Sequence, residues 1–210
     1  SAFRSYLLAK WLWNPSLNKD SLQQDFLNHY YGKASKLIQQ YIEMLEDQLH
    51  KTKDNLDIYG NPIDAKKTFL SPENIDKYSV VLDKAEALTE EDDYATKHVT
   101  EARIPLEYTV LQQSRYFGVD QYGLFEAVNN TYHIKPSIIN RLNRLVKQCE
   151  QFGINSLSEI PFSPKDYAQE WKKIIDKGYK PNKALNTSVS LKFNLDEDYY
   201  NKGSRTIVDG

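Results

Sequence analysis

The sequence is short of the residues that mark most chemistries. Its 210 residues hold one cysteine, Cys149. That thiol has no partner for an intrachain disulfide, and it excludes a cysteine-based zinc site. Glycine and proline number eight each, too few for a turn-rich fold and in keeping with a helical one. No apolar run approaches the ~18 residues that a membrane span needs, and the mean hydropathy is −0.67. The net charge is −2 and the pI is about 6.1, whereas a nucleic-acid surface shows a clustered basic excess.

Catalytic motifs are missing too. There is no GxSxG, no glycine-rich phosphate loop and no HExxH. The histidines His29, His50, His98 and His133 include no pair at i,i+4. Asp25 and His29 lie one helical turn apart, a surface pairing more than half a metal site. No metal or cofactor is implied. The acidic runs Glu90–Asp93 and Asp196–Asp198 read as a solvated helix start and a loop. An acid/base pair needs one carboxyl desolvated and its partner ionised, which a run in water does not provide.

What the chain does have is hydrophobic residues at 40% and aromatics at 12%. These suffice for a core and argue against disorder. Helical spacing begins at once, with Phe3, Tyr6, Leu7 and Trp11, and Asn14-Pro15 closes the first helix. A second helix starts near Asn18 or Asp20 and ends at Gly32. A third runs to about Lys53 on the stripe Leu37, Ile38, Tyr41, Ile42, Leu45 and Leu49. Residues 55–70 read as a loop. Ser71-Pro72-Glu73 is a capped, proline-led helix start, and Thr89–Asp93 opens a helix expected to reach Phe117. Pro105 is expected to kink that helix, or to split it near Ile104. Leu124–Tyr132 is expected to form a short helix. Pro136 and Ser163-Pro164 open the last two, closed by Gly153 and Gly178. From Val189 to Leu195 apolar and polar residues alternate as in a strand. The expectation is an all-α, bundle-like domain over residues 1–180. A linker and the first strand of a truncated β-rich domain follow over 181–210, with the boundary near Lys180–Ala184. Both ends read as cut from a longer polypeptide.

Aromatics are the enriched class, with 15 Tyr, 8 Phe and 3 Trp. Core packing is their simplest use. A stacking platform for sugars, built from Trp11, Trp13, Tyr30 and Tyr31, is the functional alternative. Cys149 lies on an apolar stripe and reads as a buried, inert thiol.

The stretches Tyr6-Leu7-Leu8-Ala9-Lys10-Trp11-Leu12-Trp13-Asn14-Pro15 and Asp25-Phe26-Leu27-Asn28-His29-Tyr30-Tyr31-Gly32-Lys33-Ala34 carry a resemblance. They are similar to the segment that follows the catalytic barrel in a family of bacterial glycan-degradation proteins. Those proteins hold a domain of unknown function related to alpha-glucuronidase glycoside hydrolases. The tail, Gly203 to Gly210, resembles the entry to a discoidin-like β-sandwich, with Ile207 where that entry has leucine. The resemblance implies a parent with a signal peptide, a β/α barrel bearing the catalytic acids, this helical domain and the sandwich. Active sites of such barrels lie on loops at the strand C-terminal ends, and none of those loops is in this sequence. No catalytic residue is therefore carried over.

The implied role is accessory and non-catalytic. The domain would pack on the barrel, space it from the sandwich and contribute to a homodimer, in the periplasm or at the cell surface. Two rivals accompany it. In one, Arg103 or Arg115 reaches a substrate carboxylate in the neighbouring site. In the other, Trp11, Trp13 and Tyr31 bind oligosaccharide. The accessory role predicts an exposed apolar face where the barrel would sit.

Overall fold

The computed structural model describes residues 2–53, 60–158 and 161–179. Over these residues the fold is all-α with one small hairpin. The elements are α1 (Ala2–Trp13), α2 (Lys19–Tyr31), α3 (Ser35–Thr52), α4 (Pro72–Thr89), α5 (Asp93–Phe117), β1 (Phe125–Val128), β2 (Thr131–Ile134), α6 (Pro136–Gln151) and α7 (Pro164–Lys177). The expected strand at Val189–Leu195, the boundary near Lys180 and the sandwich-like tail lie outside the described residues.

The helix starts follow local chemistry. Asn18, Ser71, Asp92 and Ser163 each accept a hydrogen bond from a first-turn backbone N–H, satisfying donors that a helix leaves orphaned. At α7 the pairing is reciprocal, because Asp166 also accepts from the Ser163 backbone N–H. Gly32 ends α2 at φ +52° while its N–H closes on the Asn28 carbonyl. A one-turn 3-10 segment then leads into α3.

Helix α5 is the spine of the molecule, about 37 Å long at the α-helical rise. Along one side it contributes Val99 and Leu106 to a core completed by Phe26, Leu27, Ile38, Ile75, Tyr78 and Leu82. Along the other it contributes Ile104 and Leu111 to a second core with Phe125, Ile138, Leu142, Leu145, Cys149, Tyr167 and Trp171. Cys149 is fully buried, and burial pushes its thiol pKa up, as expected of an inert thiol.

Two local expectations are corrected. Pro105 does not split α5, which is continuous from Asp93 to Phe117. Pro105 itself is exposed, while its neighbours Arg103, Ile104, Leu106 and Glu107 are buried. Packing on both flanks outweighs the single hydrogen bond that proline removes. Leu124–Tyr132 is not a helix either. It folds into the antiparallel hairpin β1–β2, with Val128 opposite Thr131. Asn129 and Asn130 sit at φ +49° and +63°, the pair of positive angles a two-residue I′ turn requires and asparagine tolerates. The approach to the hairpin is tight. A Cβ on Gly123 would lie 2.2 Å from the Gly118 carbonyl oxygen.

Candidate functional site: an aromatic cleft and a buried charge cluster

The candidates from the sequence scatter across the molecule. Trp11 is half-buried and donates its indole N–H to the Leu17 carbonyl at 3.0 Å, which fastens the Asn14-Pro15 turn to its helix. Trp13 projects into solvent. Tyr31 packs edge-on against Phe26 and Tyr30, and its pKa is pushed up to about 12, by burial first and then by Tyr30 and Glu101. Among the described residues neither tryptophan of α1 meets another ring, so the three do not form one stacking surface. Arg115 is exposed in the last turn of α5.

Arg103 is buried and held by carboxylates of its own chain. Its Nε donates to Glu107 at 2.8 Å, and an Nη donates to Asp83 at 2.6 Å and Glu86 at 3.2 Å. Glu107 has no solvent exposure and takes two further arginines from α6. These are Arg141 at 2.5 Å and Arg144 at 2.8 Å. The cluster ties α4, α5 and α6 together between the two cores. Burial would raise the Glu107 pKa, but Arg141, Arg103 and Arg144 together hold it below the ordinary carboxylate value. Glu86 goes the other way, raised by burial against the pull of Arg103 and Arg144. Two carboxylates driven apart in this way resemble an acid/base pair. Glu107 is completely enclosed, however, and each of its oxygens is already bonded, so no substrate atom can approach it. What Glu107 does is hold Arg103, Arg141 and Arg144 together across α5 and α6.

The structure assembles instead a cleft of about 470 Å³ lined by Tyr6 and Lys10 of α1, Asp25, Phe26, His29 and Tyr30 of α2, and Tyr94 of α5. The i,i+4 spacing of Tyr6 with Lys10 and of Asp25 with His29 presents each pair on one helix face. Tyr6 donates its hydroxyl to Asp25. That bond raises the tyrosine pKa to about 12 and lowers that of Asp25. His29 Nδ1 lies 3.3 Å from an Asp25 carboxylate oxygen, and the Lys10 ammonium stands over the Tyr6 ring, 5.2 Å from its centroid.

Tyr30 is sandwiched, with Phe26 at 4.7 Å on one face and His98 at 3.7 Å on the other. Tyr94 is exposed and stands nearly perpendicular to both Tyr30 and His98. A smaller cavity of about 210 Å³ adjoins through Tyr30, with Phe3, Tyr31 and Glu101 in its wall. The cleft offers ring surfaces beside a carboxylate, an ammonium and an imidazole. Its one carboxylate, Asp25, is held ionised by the Tyr6 hydroxyl, so the cleft pairs ring surfaces with fixed charge. Tyr30 was legible as a candidate from the sequence. Tyr6 and Tyr94 were not, because only the fold brings α1 and α5 against α2.

Among the described residues no group of three or more His, Cys, Asp or Glu could hold a metal ion, and no helix is long and apolar enough to cross a membrane. The class these elements define is an all-α helical domain organised around a shared central helix. Residues 1–43 match the model of a family described as a domain of unknown function, DUF4838. That match covers α1, α2 and the first half of α3, and with them every cleft residue except Tyr94. No curated protein and no solved structure matches the chain.

Proposed function

We propose that the chain is a non-catalytic helical accessory domain of a multidomain carbohydrate-degradation protein, docked through α1 on the catalytic barrel of the same polypeptide. One observation carries the reading. Helix α1 leaves Leu8, Leu12 and Trp13 exposed at 53%, 86% and 91%, inside the segment that matches the family model. Large apolar side chains grouped on one helix end mark an interaction surface. Among the described elements, α2 alone packs extensively on α1. The barrel, the β-sandwich and a periplasmic or cell-surface location belong to this proposal and rest on the resemblance of the Trp-Asn-Pro and Tyr-Tyr-Gly segments.

The test sets the chain beside a longer polypeptide that includes the barrel, on chromogenic glycosides and glucuronides. Hydrolysis by the long form alone supports the accessory role, and Leu12→Lys with Trp13→Ser should then lower the thermal stability of the long form. Hydrolysis by the chain itself overturns it.

A second reading, carbohydrate contact, is favoured by the aromatic cleft rather than by the tryptophans. Pyranose rings present apolar faces to aromatic walls and hydroxyls to groups such as Asp25 and Lys10. Titration with neutral oligosaccharides should perturb the NMR signals of Tyr6, Tyr30 and Tyr94, and Tyr94→Ala should remove the effect. An unperturbed spectrum at millimolar sugar ends this reading.

A further inference from the structure

The hairpin β1–β2 is a two-stranded ribbon, and such a ribbon is marginal by itself. Its two-residue turn makes Val128 and Thr131 a hydrogen-bonded pair. Bonded and non-bonded pairs alternate from there, so Glu126–His133 is bonded, whereas Ala127–Tyr132 and Phe125–Ile134 are not. The N–H and C=O groups of Tyr132 and Ile134 therefore point away from β1. The two outer edges differ. On β1, the Phe125 N–H donates to the Gly118 carbonyl at 2.9 Å. On β2, no backbone hydrogen bond from outside the hairpin reaches Tyr132 or Ile134 among the described residues. Thr131–Ile134 also holds no proline, lysine or acidic residue of the kind that guards a natural edge.

The faces of the ribbon are unequal as well. Phe125, Ala127, Tyr132 and Ile134 share one face. Phe125 is part of the second core and Ile134 packs against it. Tyr132 lies on that face and is still 44% exposed, the exposure of a sheet residue with no strand on its outer side. The chain leaves α7 against the same face. The Tyr179 ring lies 4.4 Å from that of Tyr132 and 5.3 Å from that of Phe125, centroid to centroid. Ten positions later, beyond the described residues, Val189, Leu191, Phe193 and Leu195 alternate in sequence with Ser190, Lys192 and Asn194. Ten residues can reach about 33 Å, and a four-residue strand is only about 13 Å long.

We propose that the free edge of β2 takes Val189–Leu195 of the same chain as a third strand. The outward backbone groups of Tyr132 and Ile134 supply the pairing, as in recognition by strand addition. The alternation then has a use on both faces. Its apolar residues extend the face of Tyr132 and Ile134, and its polar residues join Thr131 and His133 in solvent. The strand belongs, on this proposal, to the helical domain and not to a separate β-rich one. The α1 face takes no part, so this inference and the accessory role fail independently.

Two measurements on the full chain test it. The first is amide exchange read by NMR. The Tyr132 and Ile134 amides should be protected, and Leu191→Asp with Phe193→Asp should speed their exchange at least about tenfold. The same variant should leave the amides of Leu106 and Leu111 in α5 unchanged, which shows that the fold survives. The second is cross-linking, made clean because the one native thiol, Cys149, is buried. Thr131→Cys is combined in turn with Ser190→Cys, Lys192→Cys or Asn194→Cys, since residues paired across strands bring their Cβ atoms within about 5.5 Å. One of the three should close an intrachain disulfide on mild oxidation. Open Tyr132 and Ile134 amides in the wild type, exchange indifferent to the double aspartate variant, no disulfide in any register, or disulfides only between two chains would each overturn the proposal. The last of these would make a second copy the occupant of the edge.

Discussion

Two helices at opposite ends of the described chain carry its tryptophans and use them in opposite ways. Helix α7 turns Trp171 and Tyr167 inward until neither has measurable exposure beyond 1%, and a reciprocal cap fixes its first turn. Helix α1 buries only Leu7 and turns Leu12 and Trp13 outward. Both sequences are aromatic-rich, but the apolar residues of α7 gather on one face and those of α1 are spread around the helix. The stripe of α7 meets a core that α5, α6 and the hairpin have already shaped. Helix α1 has α2 on one side and nothing described on the other. An aromatic residue at helical spacing thus shows that a surface is made for contact, without showing whether the contact lies within the chain.

The comparison can be broken at several points. Trp171→Ala should cost the most, about 3–5 kcal/mol for an emptied aromatic site, read as a lower denaturant midpoint. Trp13→Ala in the same assay should stay within about 0.5 kcal/mol. A comparable loss from both would mean that α1 is packed after all. Acrylamide should quench Trp13 readily and leave Trp171 protected, with Trp11 between them.

Glu107→Gln should come next, at about 3 kcal/mol, since three arginines lose a buried counter-charge. It also carries a pH signature. The folded pKa of Glu107 is depressed below its ordinary value of 4.5, so its contribution is present above about pH 4.5 and fades as pH falls through the folded value. The wild type should therefore lose melting temperature on acidification more steeply than Glu107→Gln.

Asn130→Val should cost about 1–2 kcal/mol, because a β-branched residue resists φ +63°. The loss should reach α7, since Tyr179 just beyond it packs on Phe125 and Tyr132 of the hairpin. The smallest effect is expected from Leu12→Lys in the isolated chain, where a change in melting temperature beyond experimental error would contradict the exposure seen here.

Much of this architecture was legible in the sequence. Caps and proline-led starts located α2, α4 and α7 closely, because those signals act within four residues and need no tertiary partner. Leu124–Tyr132, expected as one short helix, carries its own turn signal in Asn129-Asn130, which makes the segment a hairpin. At Pro105 the local rule yields only in part, since α5 is not split where it is packed on both flanks. Glu107 went unnoticed, although a glutamate between Leu106 and Leu111 of a buried helix, four residues after Arg103, is a visible anomaly. Tyr6 and Tyr94 lie 88 positions apart in the sequence, and no pattern of period two or 3.6 links residues at that distance.

The central helix has a consequence for how the molecule opens. Both cores end on α5, so neither can come apart without uncovering one side of it. Amide protons around Leu106 and Leu111 should exchange with deuterium only when the whole domain unfolds, while those of α1 exchange through local fraying. A partner seated on α1 would slow that second group alone. The exchange map of the first helix is therefore a direct gauge of occupancy, and α5 is the internal standard against which to read it.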